Sequence, residues 1–164
     1  MRASLTLAIL ALAVLSPAAE ARPPLCAPEV IESNLVGAGH LTQEDIDADA
    51  GVNLVRCGDV TGDGATDALF TVASGGTAGD THFGVIEGGA DGAGEVVLYK
   101  QGYKVGLARR NAKAFDVMQP HYASADANCC PSSYRQTRYT WTGTRFKAGK
   151  AKRLESAPAK FYRP

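Results

Sequence analysis

The pattern of apolar and polar positions divides the 164 residues of the chain into distinct regions. An unbroken apolar run, LTLAILALAVL, opens the chain at residues 5–15. Residues 22–50 mix helix-forming and acidic residues, and residues 51–147 hold short segments rich in apolar, β-branched and aromatic residues, which is typical of strands. Residues 148–164 are rich in Ala and Lys, and their apolar residues show neither a helical nor a strand-like periodicity. Each region is therefore interpreted separately.

The N-terminal apolar run predicts a secretory signal peptide over residues 1–21. Arg2 supplies a positive charge, Pro17 ends the run, and AEA at residues 19–21 provides small residues for cleavage. The run is too short for a membrane span. A lipid anchor needs a cysteine directly after the apolar segment, whereas Cys26 follows RPPL. We therefore expect a secreted protein, extracellular or associated with the cell envelope, without a membrane span.

Residues 22–50 predict an extended, proline-rich arm followed by one or two short helices. Pro28 suits a first helical turn, and Gly37 and Gly39 would end that helix. A second helix is indicated by TQED at residues 42–45, a capping-box pattern in which Asp replaces the usual Glu.

Residues 51–147 predict five to seven strands. The segments are VNLVRC, DALFTVAS, HFGVIEGG, EVVLYKQGYKV, KAFDVMQPHY and the hairpin SYRQTRYTWTGTRFKAG, whose tip lies at residues 142–144. Residues 148–164 are predicted to form a loose C-terminal tail. The fold class is therefore α+β: a single domain that is mainly antiparallel sheet, with short N-terminal helices and disulfide bonds.

The four cysteines, Cys26, Cys57, Cys129 and Cys130, predict two disulfides because export leads to an oxidising compartment. Four cysteines allow three pairings. A disulfide between the adjacent Cys129 and Cys130 closes a strained eight-membered ring. We therefore expect each of these two to pair with Cys26 or Cys57, in an order that stays open. A zinc site is the alternative, but the chain has no CxxC and its three histidines are scattered.

The formal net charge is zero, with 17 basic and 17 acidic residues. This balance argues against nucleic acid or an anionic membrane as the default partner, and we expect a monomer. The basic residues cluster between Lys100 and Arg163. We interpret that cluster as a solvated face and a tail.

The stretch DVTGDGATD, residues 59–67, has the ligand spacing of a calcium loop. Oxygen ligands would come from alternate positions, with Gly64 at the sharp turn. The twelfth position is Phe70, where an EF-hand has Glu, so this is not an EF-hand. The loop resembles those of FG-GAP/VCBS-type repeats, which implies a weakly bound structural calcium ion between two strands. The alternative is a tight Asp/Gly turn without metal. The candidate ligands are Asp59, Thr61, Asp63, Ala65 and Asp67.

The segment YASADANCCPSSYRQTRYTWTGTRF, residues 122–146, is the second distinctive motif. Together with CGDVTGDGATDALF it resembles the actinobacterial LppP/LprE lipoprotein family and its secreted relatives, which have a GDG loop and a CCPS segment before a Y-x-W-x-G-x-x-F strand pair. The resemblance covers residues 52–146. It implies an exported domain and assigns no activity. The chain departs from the family because it lacks a convincing lipid-attachment cysteine.

A non-catalytic binding module is the function that the aromatic residues favour. Aromatic side chains on an outward face of a rigid sheet would suit recognition of an extracellular carbohydrate or protein. Tyr139 and Trp141, two positions apart, could instead belong to the core, and their exposure distinguishes the two interpretations. The aromatic residues on strand-like segments are Tyr99, Tyr103, Tyr122, Tyr134, Tyr139 and Trp141.

A secreted hydrolase is the alternative function. His121, with Ser124 and Asp126 nearby in sequence, is the only local group with the residue types of a nucleophile, a base and an orienting acid. A second version uses calcium at the Asp59–Asp67 loop with Glu44 or His82 as the base. The three histidines, His40, His82 and His121, fit ordinary surface or core positions better than catalytic ones, and we assign no catalytic residue.

Overall fold

A computed structural model describes residues 24–89 and 94–163 of the chain. The predicted signal peptide lies outside the described residues. Within them, no helix is long and apolar enough to cross a membrane. The elements are α1 (Pro28–Gly37), α2 (Gln43–Asp47), β1 (Val52–Cys57), β2 (Ala68–Ala73), β3 (Asp80–Gly88), β4 (Gly94–Gln101), β5 (Gly106–Asn111), β6 (Ala114–His121), β7 (Ser133–Trp141), β8 (Phe146–Ala148), β9 (Lys152–Leu154) and a 3-10 turn (Ala159–Phe161).

The strands form two antiparallel sheets. The first has the order β1-β2-β3-β4, and the second has the order β5-β6-β7-β8, with β9 also paired to β7. The predicted α+β class, mainly antiparallel with short N-terminal helices, is confirmed. The sequence analysis missed β5, because GLARRN is buried over its first half and exposed over its second and so shows no alternation.

One apolar core joins the two sheets. Tyr139 lies within it, stacked on Phe115 with the ring centroids 5.3 Å apart, and meets Phe83 edge-on. Only 9% of Tyr139 is exposed, and the partly buried Trp141 packs against Phe146. The core interpretation is therefore the right one for Tyr139, and Trp141 packs at the edge of the same core with part of its side chain exposed.

A second core lies between α1 and the first sheet. Ile31 and Leu35 of α1 are fully buried and belong to the same apolar cluster as Phe70 and Ile86. Pro28 occupies the first turn of α1. The capping box of α2 is present as predicted, with Thr42 and Asp45 bonded reciprocally.

The C-terminal segment packs on the second sheet. β9 pairs with β7, and Phe161 is buried against Ala108 and Met118. The prediction of a loose tail is therefore wrong. The segment is held by one short strand and one buried aromatic side chain, neither of which produces a detectable period in the sequence.

The disulfides join Cys26 to Cys57 and Cys129 to Cys130. The predicted pairing of Cys129 and Cys130 with Cys26 and Cys57 is therefore wrong, although all four cysteines are bonded. Cys57 ends β1, whereas Cys129 lines a cavity together with Asn53, near the beginning of that strand. Four residue steps of extended strand, about 13 Å, separate Asn53 from Cys57, so the fold keeps the two pairs apart.

Candidate functional site

A cavity of about 590 Å³ lies at one end of the junction between the two sheets. The beginnings of β1 and β3 meet there with the residues before β5, the end of β6, the beginning of β7 and the C-terminal segment. Its volume is within the range of sites that bind small molecules. The lining residues are Asn53, Leu54, Gly79, Asp80, Lys104, Val105, Pro120, Tyr122, Cys129, Pro131, Tyr134, Ala157 and Tyr162.

Three tyrosines form the aromatic part of this cavity. Two of them, Tyr122 and Tyr134, are among the predicted binding aromatics, and the third is Tyr162. The sequence analysis missed Tyr162 because it lies in the segment that we interpreted as a tail. Its hydroxyl donates to the carbonyl oxygen of Lys104 at 3.2 Å. Burial raises the pKa of Tyr162 far above its usual value, with smaller contributions from nearby Tyr134 and Asp80, so the hydroxyl is neutral and available as a donor.

An amide and a carboxylate stand side by side in the cavity wall. The side-chain amide of Asn53 donates to Oδ1 of Asp80 at 2.8 Å, and the Thr71 hydroxyl donates to Oδ2 at 2.6 Å. These two bonds fix the Asp80 carboxylate, which has no cationic partner among the described residues. The pair thus presents fixed hydrogen-bonding groups beside aromatic rings, an arrangement that suits a polar ring-shaped ligand.

Lys104 ties the loop between β6 and β7 to the rest of the cavity. Its Nζ donates to the Tyr122 hydroxyl at 3.1 Å and to the carbonyl oxygen of Asn128 at 2.7 Å. The ammonium also lies 5.3 Å from the ring centroid of Tyr103, within cation–π range. The hydrogen bond with Tyr122 is the main cause of the raised pKa of Lys104. Lys104 therefore positions Tyr122 and the loop that carries the Cys129–Cys130 disulfide.

Asp126 closes the same loop. Its carboxylate accepts from the Ser132 hydroxyl at 2.5 Å and from the backbone N–H groups of Ala123 and Ser132, both at 2.7 Å. These bonds lower the pKa of Asp126, and the bond from the Ser132 side chain contributes most. The charge of His121 also lowers this pKa and contributes least. Among the described residues no hydrogen bond joins His121 to Ser124. The three residues considered for a hydrolase thus lack a contact between the nucleophile Ser124 and the base His121. Their acid, Asp126, instead stabilises a loop.

The Asp59–Asp67 loop lies at the opposite end of the first sheet. Asp67 is fully buried, and its Oδ2 accepts from the N–H groups of Val60 and Thr61 at 2.7 and 3.0 Å and from the Thr61 hydroxyl at 3.1 Å. Its Oδ1 accepts from the N–H of Gly88 at 3.0 Å. A carboxylate surrounded by donors is already compensated, so Asp67 does not fit the role of a cation ligand.

The other predicted ligands lie on the outer side of the loop. The Asp59 carboxylate accepts from the N–H groups of Gly62 and Gly64, and Asp63 accepts from the N–H of Ala65. Gly62 and Gly64 have positive φ values of 82° and 89°, which glycine adopts without strain. The loop is therefore closed by its own hydrogen bonds around two separate carboxylates.

Two cations of the second sheet lie beside this loop. The Arg109 guanidinium covers Gly58 and donates to the carbonyl oxygen of Asp59 at 3.1 Å, and the Lys113 stem lies against Gly62. On the other side, the pKa of Glu87 is raised, first by burial and then by Asp63 and Asp67. Side chains that are remote in sequence thus pack against this loop.

The carboxylates of the predicted calcium ligands therefore do not converge on one point. In residues 24–89 and 94–163, no group of three or more His, Cys, Asp or Glu side chains is arranged to hold a metal ion. Calcium takes six to eight oxygens, and with Asp67 turned inward only Asp59 and Asp63 supply carboxylates from the predicted set. Calcium binding stays a prediction, and the hydrogen bonds of the loop do not depend on it.

His82 and Tyr99 belong to a separate aromatic cluster. The Tyr99 ring stacks with His40 at 4.3 Å and with His82 at 5.1 Å between centroids. Burial lowers the pKa of His82. His82 pairs with Val72 at the end of β2 remote from Asp67, so it cannot serve as a base beside the Asp59–Asp67 loop.

The chain matches no protein-family model, no curated protein sequence and no solved structure. The functional argument therefore depends on the geometry of the cavity.

Proposed function

We propose that the protein is a secreted, non-catalytic binding module that holds one sugar residue of an extracellular glycan in the tyrosine-lined cavity. The observation that carries this proposal is the position of the fixed Asn53–Asp80 pair in a cavity of about 590 Å³ that is lined by three tyrosines. The similarity of residues 52–146 to the LppP/LprE family agrees with an exported domain and stays a proposal.

The aromatic and polar parts of the cavity would take different parts of a sugar ring. Tyrosine rings provide rigid apolar surface for the C–H faces of the ring. The Asp80 carboxylate accepts from ligand hydroxyls, and the Asn53 amide oxygen is a further acceptor. Because Thr71 and Asn53 already orient Asp80, the ligand would bind groups that are fixed in advance.

A saccharide also suits the charge of this cavity. Asp80 disfavours a phosphate or carboxylate inside it, and the Lys104 ammonium is already engaged by Tyr122 and Asn128. An uncharged ring with several hydroxyls is not repelled by Asp80 and does not need a free ammonium group to bind it. The hydrolase alternative gains no observation in its favour, because His121 and Asp126 do not form a nucleophile–base arrangement.

The test is binding of purified protein to a panel of soluble glycans, measured by calorimetry, with Tyr134 substituted in two ways. Tyr134→Ala removes the ring and should weaken binding by about tenfold or more, whereas Tyr134→Phe keeps the ring and should stay within about threefold. Asn53→Ala should weaken binding as well. Thermal melting checks that each variant is folded.

The proposal fails if no glycan binds, or if Tyr134→Ala binds as tightly as the unaltered protein. Glycan cleavage during the titration, detected by size-exclusion chromatography, would instead support the hydrolase.

A further inference from the structure

The two halves of the chain carry opposite charge. Residues 24–101, which include the first sheet, hold thirteen acidic side chains and two basic ones. Residues 102–163, which include the second sheet, hold thirteen Lys or Arg and three acidic side chains. The zero net charge of the whole chain conceals this division. An anionic partner would therefore approach the second sheet.

A row of cations continues from the cavity along one face of the second sheet. Alternation along β7 places Tyr134, Gln136 and Arg138 on the same face. The strand partners of this face bring Lys152 opposite Gln136 and Lys147 opposite Thr140. We define the basic strip as Arg138, Lys147 and Lys152, all of which are exposed.

A buried carboxylate fixes the middle of the basic strip. Asp116 is only 2% exposed, and its oxygens accept from Nε and Nη2 of Arg138 at 2.8 and 3.2 Å and from Nε2 of Gln136 at 2.8 Å. The Arg138 side chain nevertheless stays 45% exposed. Its remaining N–H groups are therefore held in a fixed orientation and are free to bind an anion.

The two lysines of the strip have no carboxylate partner. The ion pair between Arg138 and Asp116 is the only one in the part of the chain that the structure describes. The surface beside the cavity is thus positively charged and uncompensated.

We propose that the glycan is an acidic polysaccharide in which uncharged and carboxylate-bearing units alternate, which places one uncharged sugar ring in the cavity and the carboxylates of neighbouring units on the basic strip. This inference rests on the proposed function. From Tyr134 in the cavity to Thr140, which lies opposite Lys147, β7 extends over six residue steps, about 20 Å, which is long enough for several sugar units. A polyanion without sugar rings could use the strip but would leave the tyrosines and the Asn53–Asp80 pair unoccupied.

The experiment compares hyaluronate and unsulfated chondroitin, in which a uronic acid alternates with an uncharged sugar unit, with uncharged dextran and pullulan and with inorganic polyphosphate. The variant Lys147→Gln/Lys152→Gln removes two charges from the strip. Its matched control, Lys100→Gln/Lys160→Gln, removes two exposed charges elsewhere. Affinities are measured by calorimetry at several salt concentrations.

We expect the uronic-acid polymers to bind more tightly than the uncharged ones, and polyphosphate to bind more weakly than either uronic-acid polymer. The strip variant should lose about tenfold or more for uronic-acid polymers, and its slope of log affinity against log salt should become shallower by roughly 1 to 2. The control should keep both properties. Tyr134→Ala should weaken the uronic-acid polymers without changing the salt slope.

Other outcomes separate the two proposals. If uncharged glycans bind as tightly as acidic ones and the strip variant is indistinguishable from its control, the acidic-polysaccharide inference is wrong and the cavity function stands. If polyphosphate binds as tightly as hyaluronate and Tyr134→Ala affects neither polymer, the strip responds to charge alone. In that case both the sugar site and the inference that rests on it are wrong.

Discussion

The buried carboxylate of Asp67 accepts a hydrogen bond from the backbone N–H of Gly88, 21 residues later in the chain, at 3.0 Å. The same carboxylate binds the N–H groups of Val60 and Thr61. Asp67 thus joins the turn before β2 to the end of β3. A residue that the sequence indicates as a metal ligand instead fixes the position of a loop against its own sheet.

Asp67→Ala should destabilise the protein by roughly 3 to 5 kcal/mol, because it leaves three buried N–H groups without an acceptor. Urea unfolding followed by circular dichroism measures this change. The control is Asp63→Ala, which removes an exposed carboxylate of the same loop and should stay within about 0.5 kcal/mol. Equal effects of the two substitutions would contradict the role of Asp67.

The loop should keep its conformation without calcium, because hydrogen bonds within the protein close it. We expect the melting temperature in EDTA to equal that in untreated buffer. The calcium prediction makes a different claim: at ten times Kd, calcium would add about 1.4 kcal/mol, and Asp63→Ala would abolish the gain. A calcium-dependent rise in melting temperature with that sensitivity would establish an ion site on the outer side of the loop.

The two disulfides should differ in their contribution to stability. Cys26 and Cys57 are 31 residues apart, so removing their bond by Cys26→Ser/Cys57→Ser should cost about 4 kcal/mol through the greater freedom of the unfolded chain. The adjacent Cys129 and Cys130 restrict almost no chain, and the corresponding double variant should cost roughly 1 kcal/mol.

Peptide mapping without reduction tests the pairing directly. The expected products are a linked pair of peptides that contain Cys26 and Cys57, and a single peptide that is two hydrogens lighter because it holds the Cys129–Cys130 bond. Any cross-link between these two groups of cysteines would contradict the structure and restore the pairing expected from the sequence.

Ligand binding should weaken in acid through Asp126. Its pKa lies below the ordinary value of 3.8 because Ser132 and Ala123 donate to the carboxylate. Its contribution to the loop is therefore fully present above that ordinary value and is lost as the pH falls through the lowered pKa. Asp126→Asn should make the affinity of an uncharged glycan lower at neutral pH and less dependent on pH below 4. An unchanged acid profile would exclude this role.

The sequence determined the classes of the elements and several of their ends. Strand-forming residues located β1 to β4, β6 and the β7–β8 hairpin, and TQED located the beginning of α2, because these signals depend on neighbouring residues alone. The composition of the Asp59–Asp67 loop likewise identified a tight turn. A local pattern of this kind cannot reveal whether a carboxylate turns toward solvent or into the protein. Asp63 and Asp67 differ in this respect, because Asp63 is exposed and Asp67 is buried.

Only the tertiary structure decided the disulfide pairing, the burial of Tyr139 and the composition of the cavity. Cys57 and Cys129 are separated because Cys57 ends β1, whereas Cys129 lines the cavity near the beginning of that strand. Tyr139 is enclosed because the two sheets pack face to face. The cavity and the basic strip combine residues from Asn53 to Tyr162, which antiparallel pairing and the return of the C-terminal segment bring together, and no spacing along the chain encodes contacts over such distances.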